Sequence, residues 1–343
     1  MINRILLVGL GSIGTRHLRL ARAQFPNADI RILRHKLGDT LPEFSNGSFM
    51  SIQEVIAFAP QIAIISNPAT LHIAIAQPLA EMGVHLLVEK PLSNSIEGIR
   101  HLIETSKEHN TVLMVGYNLR FSTSLQYFRD LLSQGAIGRF LSVRCEVGQF
   151  LPSWRPQRDY RQGVSARKEL GGGALLELSH ELDYLVWIFG DIDWVRATLS
   201  RQSNLDIDVE DSAHLTVGFL SNNDGHQLVG TINLDFIRHD QTRVCTVIGD
   251  KGSLHWNGLT GEVKLLEKNA KDWKILFVKQ PHEDDTYLAE WQDFLHCVNE
   301  NIVPTVTGED GLRVVEVIQA AHLSAPTGAQ VAVIRTHQES EPS

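Results

Sequence analysis

Two motifs in this chain carry residue types able to do redox chemistry. Gly9-Leu10-Gly11-Ser12-Ile13-Gly14 follows the apolar run Arg4–Val8, and Glu89-Lys90-Pro91 follows the apolar run His85–Val88. The glycine spacing fits a dinucleotide fingerprint. Gly9 permits a tight turn, Gly11 lets backbone approach a pyrophosphate, and Gly14 lets a helix pack close to its strand. The free N–H groups around Ser12 and Ile13, at the positive end of that helix, then face the phosphates. Lys90 stands at the carboxyl end of a later strand, where open α/β sheets bind their ligands. Its side chain can hydrogen-bond a reacting oxygen and steady the charge that develops as hydride moves to or from the neighbouring carbon. Glu89 is placed to orient the chain or to approach a ribose. The pairing predicts hydride transfer with a nicotinamide cofactor.

Further residues group around these. After the second strand the chain reads Leu33-Arg34-His35-Lys36, where an acid would accept from an adenosine 2′-hydroxyl. Cations stand there instead, so NADP is expected to be accepted and preferred over NAD. In Ser66-Asn67-Pro68-Ala69-Thr70, Thr70 is placed to cap the next helix, and Asn67, Pro68 and His72 can lie beside the ribose or nicotinamide. Farther on, Gly171-Gly172-Gly173 leads into a helix predicted over Leu175–Phe189. On a helix Glu177, His180 and Asp183 or Tyr184 share a face, and an imidazole oriented by a carboxylate is a suitable acid–base, with Glu177 and His180 assigned to catalysis and Asp183 to the substrate. The three glycines suit a close approach of backbone to a ligand. Before them, Trp154 to Lys168 holds five cations, Arg155, Arg158, Arg161, Arg167 and Lys168, with Tyr160 among them. Arginine forks bind carboxylate or phosphate in bidentate fashion and rings stack on sugars, so Arg155, Tyr160 and Arg161 are assigned to an anionic, sugar-like substrate. A solvated basic loop is the competing account.

Elements of two kinds must position these groups. Over about 120 residues, strand and helix signals alternate as in a parallel sheet covered on both faces. Strands are predicted at Arg4–Val8, Ile30–Leu33, Ile62–Ser66, His85–Val88 and Val112–Val115, with a capping box at Ser51 and Glu54 and a helix opening at Asn94 and Glu97. Beyond Phe121, one helix is followed by many strand-like runs joined by short turns, the pattern of a largely antiparallel sheet. The fold class is therefore α/β: a doubly wound Rossmann domain over 1–120, then an α/β domain with a large, mainly antiparallel open sheet over 121–335. Residues 336–343 form a polar tail. At 343 residues, 43% hydrophobic and 21% charged, the chain is ordinary globular protein, and two domains fit its length. A net charge of −9 argues against nucleic acid or an anionic membrane as partner. Three dispersed cysteines show neither a disulfide framework nor metal-ligand spacing, and His282-Glu283-Asp284-Asp285 reads as a solvated loop before a helix, so no metal is expected. With no apolar run long enough for a membrane span or signal segment, the cytoplasm is the expected location.

The order of GxGxxG, Asn67-Pro68, Glu89-Lys90-Pro91 and Gly171-Gly172-Gly173 before His180 and Asp183 resembles the Gfo/Idh/MocA oxidoreductase family. The resemblance continues through Tyr287, Glu290, Phe294 and Asp310-Gly311. It implies a Rossmann domain, a C-terminal α/β domain on an open sheet, a bound nicotinamide cofactor and homodimers or homotetramers built through those sheets. It also implies an unusual peptide geometry at Pro91, and contacts to substrate or nicotinamide from Tyr117 and Asn118. Where many members carry an aspartate four residues before the histidine, this chain has Leu176, and Glu177 is the nearest acid. The wording around Ser165-Ala166-Arg167 and Glu169-Leu170 resembles the branch tied to bacterial surface-sugar, sialic-acid-like pathways. An NAD(P)-dependent dehydrogenase or reductase of a sugar derivative is the expectation. A non-catalytic cofactor-binding sensor and an NAD-assisted glycoside hydrolase are the alternatives on the same fold.

Overall fold

The computed structural model describes residues 2–34, 40–221 and 225–335. His35 and Lys36 of the basic run, and the tail 336–343, lie outside the described residues. The chain divides into two compact units. One takes everything described up to Tyr117 together with Leu288–Val315, and the other takes Asn118–Tyr287 and the residues from Glu316 onward.

In the first unit, β1 (Arg4–Val8), β2 (Asp29–Leu33), β3 (Gly47–Phe49), β4 (Ile62–Ile65), β5 (His85–Glu89) and β6 (Leu113–Gly116) make one parallel sheet in the order β3-β2-β1-β4-β5-β6. That is the doubly wound dinucleotide-binding order, reversing between β1 and β4. Strands β1, β4 and β5 are almost wholly buried, which is why they read as continuous apolar runs. The connecting helices are α1 (Ser12–Gln24), α2 (Ile52–Phe58), α3 (His72–Glu81) and α4 (Ile99–Glu108). The capping box expected at the start of α2 is present, with Ser51 and Glu54 bonded reciprocally. Two local expectations differ. Strand β3 is drawn from Gly47-Ser48-Phe49, a stretch of turn-like composition that becomes strand by pairing with β2. Helix α4 begins after Gly98, at φ +75°, and not at Asn94.

The second unit opens with α5 (Thr123–Ser133) and β7 (Phe140–Gly148), followed by the short turns α6 (Leu151–Trp154) and α7 (Ala174–Glu177) and by α8 (His180–Phe189). Strands β8 (Ile192–Ser200), β9 (Ser212–Phe219), β10 (Val229–Asp235), β11 (Thr242–Gly249), β12 (Gly252–Asn257), β13 (Glu262–Glu267), β14 (Lys274–Val278) and β15 (Val331–Ala332) complete it. With β7 they form a nine-stranded sheet in the order β14-β13-β12-β11-β7-β10-β9-β8-β15. Every pairing is antiparallel except β7 with β10. The predicted helix over Leu175–Phe189 is broken at Leu178-Ser179 into α7 and α8.

Two last helices, α9 (Asp285–Glu300) and α10 (Gly308–Ser324), carry the chain through the segment Leu288–Val315. This segment packs on β6: Val115 N–H donates to the Val306 carbonyl at 3.1 Å, and Gly311 stands where a Cβ would lie 2.9 Å from the Val115 side chain. A boundary at residue 120 therefore marks only the first crossing between units. The return is written in contacts from distant sequence, which no local composition shift announces.

Candidate functional site

Around the glycine turn of the first unit, backbone is packed against backbone. Gly9 has φ +87°, and a Cβ there would meet Asn67 N at 2.8 Å. A Cβ on Gly14 would lie 2.3 Å from the Gly9 carbonyl oxygen and 2.7 Å from Ser66 Oγ, which itself donates to the Val8 carbonyl at 2.8 Å. Gly11 differs, for a Cβ there would meet nothing within 4 Å. It caps α1 without a side-chain bond, and no acid lies in the first turn that includes Ser12 and Ile13. An open glycine at the positive end of a helix, with first-turn amides not claimed by a capping side chain, suits a pyrophosphate. Arg34 follows β2 and donates its backbone N–H to Phe49; its guanidinium pairs with no acid among the described residues.

Lys90 is half-buried at the carboxyl end of β5, on the same edge of the sheet as the glycine turn after β1, and its peptide bond to Pro91 is cis. His72 links this turn to the one after β4. Its Nε2 lies 2.8 Å from the Asn67 carbonyl and its Nδ1 lies 3.1 Å from the Pro91 carbonyl, with the ring buried. Burial holds its pKa below the usual 6.5, against the pull of those carbonyls. His72 is thus a brace between turns. Thr70 caps nothing, because it sits inside a single turn of 3₁₀ helix, Ala69–Leu71, that follows Pro68. Asn67 keeps a buried Oδ1 with no hydrogen-bond partner among the described residues, an acceptor left over at the turn. Glu89 is buried, accepting from Lys90 N at 3.1 Å and lying 2.9 Å from His17 Nε2, so it orients the lysine turn and is turned away from solvent. Tyr117 is fully buried.

The second unit gathers a separate polar set. His180 is half-buried as the first residue of α8, after Ser179. Because the helix is broken before it, Glu177 and His180 do not share a continuous helical face. Glu177 accepts from Ser165 Oγ at 2.7 Å, and Leu176 is buried. Asp183 is fully buried and gripped by Arg120, whose Nε and terminal nitrogen reach its carboxylate at 2.7 to 3.1 Å. That carboxylate answers an internal arginine. Asn118 donates from Nδ2 to Thr286 Oγ1 at 2.7 Å. Two of the three glycines are packed closely inside the unit. A Cβ on Gly172 would meet the Val164 carbonyl at 2.3 Å, and Gly173, at φ +110°, leaves room for the Glu210 carboxylate that accepts from Leu175 N.

A cavity of about 330 Å³ opens beside this set, lined among others by Leu151, Trp154, Arg155, Arg158, Tyr160 and Ser165. Within the arginine-rich stretch the charges divide. Arg161 is chelated by Asp159 through contacts of 2.8 to 3.1 Å, and Arg167 donates to the Arg161 carbonyl and faces Asp208. Arg155 and Arg158 have no acidic partner among the described residues, and the Trp154 indole N–H is buried without an acceptor. Tyr160 accepts from Asp206 N at 3.2 Å through its hydroxyl. Arg158, and not Arg161, is therefore the second guanidinium available to an anion. Sequence reading also passes over His17 and Trp291. Trp291 donates from Nε1 to His17 Nδ1 at 2.9 Å, a contact across 274 positions that no local pattern encodes.

The chain belongs to the Gfo/Idh/MocA oxidoreductase family. Residues 3–117 match its NAD-binding Rossmann fold and residues 129–333 its C-terminal alpha/beta domain. An uncharacterized oxidoreductase of Synechocystis sp. is 29% identical over 221 residues, which cover 60% of this chain and 57% of that protein. The chain thus spans little more than half the length of that relative. The 1,5-anhydro-D-fructose reductase of Ensifer adhaerens is 26% identical over 302 residues, 84% of each. Among solved structures, the WlbA dehydrogenase from Bordetella pertussis in complex with NADH and UDP-GlcNAcA shares the fold. Its TM-score is 0.79 at 23% identity, with 98% of this chain and 100% of that one covered.

Proposed function

We propose that this protein is an NAD(P)-dependent oxidoreductase that moves hydride between a nicotinamide cofactor and a CH–OH or keto carbon of an anionic sugar derivative. The observation that carries the reading is Lys90 at the carboxyl end of β5, braced through His72 to the turn after β4 on the dinucleotide-binding edge of the sheet. When bound, the cofactor supplies the hydride acceptor or donor. The amides that follow Gly11 hold its pyrophosphate, the Asn67 side chain accepts from its ribose or carboxamide, and Arg34 favours the 2′-phosphate of NADP. Lys90 holds the proton at the reacting oxygen as carbon changes oxidation state. His180, with Glu177 as the acid nearest it in sequence, is the second group fitted to move a proton. Arg155 and Arg158 grip the anionic group of the substrate, and Trp154 and Tyr160 offer a donor and rings to the sugar. The 1,5-anhydro-D-fructose reductase among the relatives supports a sugar derivative as substrate, and the NADH-bound fold neighbour supports the cofactor.

We assign the enzyme to the cytoplasm, where its buried free cysteines Cys145, Cys245 and Cys297 stay reduced, and to homodimers or homotetramers. The reaction is tested by following nicotinamide absorbance with sugar acids and NADP, in both directions. Turnover is expected, and Lys90→Ala should reduce kcat/KM by at least about 100-fold with cofactor affinity retained. Full activity in Lys90→Ala would overturn the assignment.

A further inference from the structure

His17 sits on α1, the helix whose N-terminal amides are assigned to the pyrophosphate, and its ring is fully buried. A chain of three hydrogen bonds runs through it. Trp291 on α9, equally buried, donates from Nε1 to His17 Nδ1 at 2.9 Å. An indole N–H can only donate, so Nδ1 accepts and the other ring nitrogen is the donor. That nitrogen, Nε2, lies 2.9 Å from Glu89 Oε1, and Glu89 Oε2 accepts from the Lys90 amide at 3.1 Å. Gly116, opposite Glu89 on β6, leaves the space this carboxylate occupies. A Cβ there would lie 3.2 Å from Glu89 Cδ and 3.3 Å from Oε2. On the far side of the turn, the Pro91 carbonyl lies 3.1 Å from His72 Nδ1. The backbone of Lys90 is thus held from both sides, by α9 and α1 through Glu89 and by α3 through His72.

We propose that Trp291 and His17 are positioning residues for Lys90, acting through Glu89. A leucine could fill the place of His17 and would need no partner, whereas a buried polar ring is costly unless its bonds are made. Here each bond depends on the one before it. Without the indole donor, Nδ1 is left in a site closed to water, and the ring is free to turn away from Glu89. Glu89 then loses the contact that fixes one oxygen, and with it the constraint that aims the other at the Lys90 amide. A fully bonded chain of this kind holds a single arrangement. It also joins three elements that local sequence does not join: the returning helix α9, the cofactor helix α1 and the strand that carries the lysine. Lys90 is thereby registered to the helix end that receives the dinucleotide.

This inference rests on the role of Lys90 given above, so its first readout needs no turnover. The test compares Trp291→Phe, which removes the N–H and keeps a ring, and His17→Leu with Ile103→Ala. The last is a core substitution on α4, which supplies no member of the chain of bonds. In nucleotide-free protein, the rate at which an amine-acylating reagent labels Lys90 is read by peptide mass spectrometry. Trp291→Phe and His17→Leu should each change that rate by at least about threefold. Ile103→Ala should leave it within about twofold, although the cavity it creates lowers the thermal midpoint. In turnover, kcat should fall at least about threefold in Trp291→Phe with KM for NADPH within about twofold, and adding Trp291→Phe to Lys90→Ala should cost nothing further. If His17→Leu does not fold, Trp291→Phe carries the comparison alone. Unchanged labelling in Trp291→Phe would overturn the positioning role, as would an equal change in Ile103→Ala or an undiminished loss of kcat in the Lys90→Ala background. The labelling difference without turnover in the natural protein would uphold the positioning and count against the proposed reaction alone.

Discussion

At the scale of single residues, what separates a binding group from a structural one is whether its charge is already answered. Arg161 and Arg158 stand three positions apart in one basic stretch, yet Asp159 chelates the first and nothing acidic pairs with the second among the described residues. A charge-assisted bidentate contact is worth roughly 1.5–3 kcal/mol. Accordingly Arg155→Ala and Arg158→Ala should each raise KM for a sugar acid by about tenfold or more and leave KM for its neutral analogue unchanged. Arg161→Ala should change the two substrates alike, by loosening the loop. Steady-state kinetics with the matched pair decides this, and equal effects of all three substitutions would count against the cavity as the anion site. The sequence offered five cations here but could not say which arginine was engaged internally. Asp183, assigned to the substrate from its place beside His180, is held by Arg120 in a fully buried pair. Spacing lists candidates; partners drawn from distant sequence choose among them.

At the scale of elements, the parts that follow from local physics were legible and the parts that depend on packing were not. Apolar runs gave the parallel strands, and Ser51 with Glu54 gave the start of α2, because burial on both faces and capping both act within a few residues. The break between α7 and α8 was hidden, since Leu175–Phe189 carries leucines and aromatics at helical spacing throughout, while the Glu210 carboxylate that receives Leu175 N comes from distant sequence. His72 shows how an element boundary is fixed by packing: one buried ring joins the turns after β4 and β5. Its depressed pKa gives a signed expectation. The unfolded chain takes up a proton at this histidine near pH 6.5 while the folded chain resists, so the stability it contributes is present above that pH and is lost as pH falls below it. His85, His255 and His322 are lowered in the same direction by partial desolvation, so the comparison must be with a variant. Thermal midpoints followed from about pH 7 down to about pH 5.5 should fall more steeply for the natural protein than for His72→Gln. Parallel curves would remove His72 from the account.

For the whole molecule, the decisive feature is that the cofactor-binding unit is discontinuous in sequence. Leu288–Val315 completes it, with Trp291 reaching His17, Val306 receiving the Val115 amide, and Glu309 meeting Arg100 at 2.8 Å. A fragment ending at residue 120 therefore lacks part of its own core and should neither melt cooperatively nor bind nicotinamide nucleotides, as calorimetry would show. A stable, nucleotide-binding fragment would mean that the returning segment is dispensable. The central claim, that this family member uses its first unit to hold a nicotinamide cofactor for Lys90, is tested most directly by titrating nucleotide-free full-length protein with NADPH, NADH, NADP and NAD. Tryptophan quenching and nicotinamide fluorescence would follow the binding. Saturable binding of the reduced cofactors, tighter for NADPH than NADH and unchanged in Lys90→Ala, is the expected result. Failure of all four to bind would contradict the account at its foundation.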